Sequence, residues 1–166
     1  FIFDQIIFMF LRIETILPKK LIGFSTPTTL ADDKTFFIWN KLMPRLKETK
    51  NLVSADLYSV QIYNFDSFQN FNPATEFTKC AFVEVKNFDF VPEQFETFEL
   101  PVGEYAVFLH KGTSEDFAKT SQYIFAEWLP NSEFELDDRP HFAVMGDLYF
   151  GHENPNSQEE IWIPIK

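Results

Sequence analysis

Two stretches of the same helical spacing constrain this chain more than any other feature. Phe36, Trp39, Leu42, Met43 and Leu46 recur at helical intervals, which predicts a helix over residues 34–50 that Pro44 kinks or breaks. Phe117, Ser121, Ile124, Phe125 and Trp128 repeat the pattern roughly 80 residues later, between a Thr113-Ser114-Glu115-Asp116 start signature and Pro130. Asp32 or Asp33 is the expected N-cap of the first helix. Around the helices lie runs rich in β-branched and aromatic residues. The first is 11–17, continuing after Pro18 as 19–25 across a bulge. The others are 57–63, 79–86, 95–100, 104–111, 140–149 and 160–165. The order is β-α-β-β, one strand, then β-α-β-β again. Two such halves pair into one antiparallel sheet with both helices on one face and a central ligand cleft along the pseudo-twofold axis, an α+β architecture. Residues 11–166 form a single domain in this reading.

Residues 1–10 stand apart as an apolar extension. The run Phe1 to Leu11 is too short to span a bilayer and is interrupted by Asp4. It lacks the basic start and small-residue cleavage site of a signal peptide. The chain begins with Phe1, so the expectation is that something precedes it or was removed, with Met9 a candidate start. An edge strand or an oligomer contact, such as a homodimer edge, is the reading for residues 1–7.

Charge narrows the partners. Fourteen Lys+Arg against 25 Asp+Glu leave a net charge of −11. Such a chain is repelled by nucleic acid phosphate and by anionic membranes, so neither is an expected partner. The reading is a cytoplasmic protein with one cysteine, Cys80, on a strand and inert. His110, His141 and His152 make no metal-ligand spacing, and the five glycines make no phosphate loop. No metal and no cofactor are expected.

What remains is carboxylates among aromatics, in a chain with 22 Phe, 5 Tyr and 3 Trp. Alternation puts Cys80, Phe82 and Glu84 on one strand face, and Glu160 with Trp162 on one face of the last strand. A desolvated carboxylate beside aromatic rings suits an organic cation. It equally suits a general acid or base of raised pKa. A solvent-facing role for both acids is the third reading.

Three segments of the second half carry a family resemblance. They are Glu127-Trp128-Leu129-Pro130-Asn131-Ser132, Asp138-Arg139-Pro140-His141-Phe142, and Glu159-Glu160-Ile161-Trp162-Ile163-Pro164-Ile165-Lys166. Together with 103–112, 57–63 and 82–85, they resemble the gyrase-inhibitor-like small-molecule-binding domain, which is also the effector-binding domain of AraC-type and multidrug-sensing activators. The resemblance implies a duplicated β-α-β-β fold and a hydrophobic cleft for small, often aromatic and cationic molecules. With no helix-turn-helix segment to spare, the chain reads as a stand-alone member. The resemblance also implies two other roles seen among relatives, gyrase inhibition through a protein partner and glutamate-dependent hydrolysis of reactive xenobiotics. One position departs from the pattern: Ala143 stands where relatives carry the acid that meets the ligand.

The expected ligand-binding set is Trp39 and Trp128 from the helices, Tyr58, Phe82, Tyr105 and Trp162 from the strands, Glu84 and Glu160 for charge, and His141 and Ala143 on the seventh strand. Binding of a hydrophobic small molecule is the first function. Were the chain a hydrolase, Glu84 would be the base and Tyr58 or Tyr105 the hydrogen-bond donor.

Overall fold

The computed structural model describes residues 9–166. The readings made for residues 1–7 lie outside the described residues. Eight strands form one sheet: β1 (Phe10–Ile16), β2 (Lys19–Thr28), β3 (Leu52–Ile62), β4 (Phe77–Val85), β5 (Glu96–Leu100), β6 (Gly103–Lys111), β7 (His141–Met145) and β8 (Gln158–Pro164). Their order is β1-β6-β8-β7-β3-β4-β2-β5, and every pair is antiparallel. Exchanging each strand for the one four places away in the chain reverses this order. The duplication is therefore a twofold symmetry whose axis passes between β3 and β7, where Ser59 pairs with Ala143.

The segment 11–25 is not one strand with a bulge. β1 pairs with β6 at one edge, while β2 lies between β4 and β5 near the other. Only Leu17 and Pro18 connect them. Six strand spacings in a flat sheet would separate β1 from β2 by ~29 Å, yet the connection reaches at most ~11 Å. Pro101 and Val102 impose the same limit between β5 and β6. The sheet must therefore curl until its two edges approach each other.

That curl closes a core on the concave face. Leu21, Tyr58, Val60, Phe82, Leu100, Tyr105, Val107, Phe142 and Trp162 are buried there together with Cys80. Phe142 lies at the centre of the ring lattice, with its centroid 5.1 Å from Tyr105, 5.2 Å from Trp162 and 5.9 Å from Tyr58. Burial pushes the Cys80 thiol up to about 12, which keeps it protonated and unreactive.

Both helical segments cover the other face. In the first, α1 (Thr35–Leu42) buries Ile38 and Leu42 against Ile22, Phe24, Ala81, Val83 and Val85. Pro44 lies at the start of a tighter 3-10 turn, Met43–Glu48, as its ring demands. The N-cap is Lys34 rather than Asp32 or Asp33, and no side chain caps from that position, but Asp33 just ahead of it accepts from the Thr35 backbone N–H at 2.9 Å. The second comprises α2 (Phe117–Gln122), a π-helical stretch (Tyr123–Trp128) and a last turn, α3 (Leu129–Asn131). It buries Tyr123 and Ile124 against Ala106, Phe108, Ala143 and Ile161. The seventh strand is shorter than its sequence signal, and the eighth begins two residues ahead of its own. β7 ends at Met145, and the polar stretch 146–157 leads into β8. Among the described residues, no helix is long and apolar enough to cross a membrane.

Candidate functional site

The sheet separates the expected site residues into two groups. Tyr58, Phe82, Tyr105 and Trp162 belong to the concave core. Trp39, Trp128 and Ala143 pack on the helical side. A single wall built from helix tryptophans and strand aromatics does not form, because a layer of backbone stands between them. Trp128 lies out toward the β1 edge, its ring 5.0 Å from both Phe10 and Phe108. Trp39 packs on the cluster under α1.

The two expected carboxylates are engaged. Alternation places Glu84 on the concave side, as its face-mates Cys80 and Phe82 require. Tyr58 donates to Glu84 Oε1 at 3.1 Å, and Lys19 Nζ stands 3.6 Å from the same oxygen. The Tyr58 hydroxyl is held well above its ordinary value by burial first and by Glu84 second. Arg12 donates to both Glu160 oxygens, at 3.1 and 3.2 Å, while its guanidinium lies 5.3 Å from the Trp162 ring. Tyr105 donates to the Pro140 carbonyl at 3.0 Å, so its hydroxyl is spoken for away from Glu84. Glu84 and Glu160 thus each answer a cation of the same chain. The Arg12–Glu160 pair is open to solvent, at 39% and 34% exposure. Glu160→Gln is accordingly expected to lower stability by less than about 1 kcal/mol, read as a shift in melting temperature.

The helical side carries a different constellation, set by strand register. Across the centre run Ala81, Ser59 and Ala143, each directly paired with the next. One row toward the β3 C-terminus run Lys79, Gln61 and His141, paired the same way. One row in the other direction run Val83, Leu57 and Met145. Ser59, Lys79, Ala143 and Met145 keep 6–8% exposure, whereas Ala81 and Ala106, beneath the helices, keep none. Ser59 and Ala143 of the central row therefore floor a narrow slot between the two helical segments, on the twofold axis.

Both ends of the slot are built by connections. A 3-10 turn at Phe65–Asn70 places Phe68 against His141 (5.8 Å, nearly parallel), with Phe125 of the π-helical stretch stacked on the same ring at 6.1 Å. Tyr63 approaches His141 edge-on at 4.9 Å. Burial pushes the His141 imidazole down to about 3, so it is neutral at physiological pH. At the other end, the 146–157 connection brings His152 to 6.0 Å from Phe36 of α1. Glu159 lies on the helical side, pushed up to about 7 by burial, against an opposing pull from Lys79. Lys79 is pushed down to about 8 by burial, partly offset by Glu159 and Asp33.

Of the expected set, His141 and Ala143 line this slot. Ser59, Gln61, Lys79, Glu159, Phe68 and Phe125 were not anticipated. The available signal was Lys79, a charge at the head of a strongly apolar strand. Two open hollows lie at the periphery, about 510 Å³ beside Phe65, Leu136 and Lys166, and about 390 Å³ beside Tyr123, Glu127 and Trp128. The first is lined by connections of both halves and shares Phe68 with the slot, and neither hollow lies on the twofold axis over the central strands, where the slot does.

Residues 12–165 match the family of integron-associated effector binding proteins. The transcriptional regulator BrlR of Pseudomonas aeruginosa is 36% identical over 93 residues, covering 56% of this chain and 34% of that protein. The chain thus spans about a third of the length of the curated relative it matches. Among solved structures, SAV2435 bound to tetraphenylphosphonium superposes with a TM-score of 0.68 at 14% identity, covering 93% of both chains. The EcmrR C-terminal domain gives 0.69 at 12% identity, over 95% of this chain and 98% of that one. The integron cassette protein VCH_CASS2 of Vibrio cholerae gives 0.59 at 15% identity, over 95% and 98%. These likenesses show the same fold.

Proposed function

We propose that this chain, which belongs to the family of integron-associated effector binding proteins, binds a hydrophobic aromatic small molecule in the slot between its two helical segments. The observation that carries the reading is the pair of small side chains, Ser59 and Ala143, that keeps slight exposure on the twofold axis while Ala81 and Ala106, beneath the helices, keep none. At one end Phe68 and Phe125 already stack on His141, and a flat ligand ring packs against this aromatic cluster. The similar fold of SAV2435, solved with tetraphenylphosphonium, supports an aromatic ligand. The concave aromatic face is the core in this reading, not the binding surface.

The reading is tested with phenylnaphthylamine, a neutral dye whose emission rises in apolar surroundings. Saturable binding is expected, and Ala143→Leu, which fills the floor, should weaken it at least tenfold, about 1.4 kcal/mol. The thermal transition of the variant shows that the fold persists. Unchanged affinity in Ala143→Leu would place the ligand elsewhere.

A further inference from the structure

The fold leaves one buried cation beside the slot without a close partner. Lys79 is 8% exposed, and among the described residues it makes no hydrogen bond and no ion pair within 4 Å. Its cross-strand neighbour is Gln61, and beyond that lies His141, which is neutral. Two carboxylates act on Lys79 through space, and neither closes on it. Asp33 is committed to Thr35, accepting from its backbone N–H at 2.9 Å and its hydroxyl at 2.6 Å. Glu159 is itself half-buried and shifted toward its neutral form. The floor supplies no acid, because Ala143 and Ser59 occupy it. An ammonium buried without an anion is costly. A ligand that brings the anion removes that cost, and binding is then strongest for the ligand that carries it.

We propose that the slot selects aromatic ligands bearing a carboxylate, with the anionic oxygens set against the Lys79 ammonium and the rings over the small floor. This rests on the slot being the binding site. It assigns the chain a charge preference opposite to that for the phosphonium cation with which SAV2435 was solved.

Three probes of one shape test it by calorimetry at pH 7: naphthylacetate, naphthylacetamide and naphthylethylammonium. Naphthylacetate is expected to bind about tenfold tighter than the amide, as a charge-assisted contact should, and the ammonium to bind weakest. Lys79→Met should erase the advantage of the acid while leaving the amide within about twofold. Glu159→Gln, which removes the competing carboxylate, should widen the advantage. Equal affinities for acid and amide in the natural chain would overturn the proposal, as would a preference that survives Lys79→Met. Should phenylnaphthylamine bind the slot while the acid shows no advantage, the charge preference falls and the slot stands. If neither that dye nor any naphthyl probe binds, both fall together.

Discussion

Phe142→Ala is expected to lower stability by about 3–5 kcal/mol and to leave affinity for slot ligands nearly unchanged. Phe142 is 1% exposed and touches Tyr58, Tyr105 and Trp162, so its removal opens a void at the centre of the concave face. The surrounding strands are pinned by two-residue connections at both edges and have little freedom to collapse onto the gap. For a chain of this length the loss should appear as a fall of roughly 6–20 °C in the melting temperature. The same substitution separates two views of the aromatic residues. A ligand-binding wall would lose affinity and little stability. A core loses stability and keeps its ligand. Thermal melts run beside phenylnaphthylamine titration, below the transition, read both quantities from one protein.

The reason the aromatics were legible as a group, and not as a core, lies in the range of the interactions involved. Alternation within a strand is local, and it correctly put Cys80, Phe82 and Glu84 on one face. The two helices, the Pro44 break and the duplication were equally local signals. Which face a strand turns toward a helix depends on partners far away in sequence. So does the division of residues 11–25 into two strands, since nothing in Leu17-Pro18 shows that β1 and β2 go to opposite edges. Once that division is made, the short connections force the curl, and the curl turns the concave aromatics into a sealed interior. The slot was hidden for a related reason. Ser59 and Ala143 are unremarkable in their own strands and become a floor only through the β3–β7 register. Glu84 and Glu160 stand out in the sequence as carboxylates among rings, and their partners Lys19 and Arg12 come from segments that sequence spacing does not bring near them.

Lys79→Met is expected to stabilise the protein at pH 7 by about 3 kcal/mol, an unusual direction for a substitution in a strand at the centre of a sheet. The amine falls from its ordinary 10.5 to about 8 because burial penalises the charged form more than Glu159 and Asp33 favour it. The sign follows from proton binding. Between pH 8 and 10.5 the unfolded chain holds this proton more readily than the folded one, so stability due to Lys79 rises with pH across that window. Its full penalty applies below pH 8 and is gone above 10.5. Methionine fills a similar volume without a charge. The gain in melting temperature should therefore be largest at pH 7 and shrink toward zero at pH 10.5, in thermal melts of both proteins at each pH. Destabilisation at pH 7 would mean that Lys79 is held in a satisfied ion pair, and a lysine so held has no charge to offer a ligand. A residue that lowers stability and lies beside a binding floor is what a stability–function trade-off produces. The melt thus bears on the carboxylate preference by a route that needs no ligand at all.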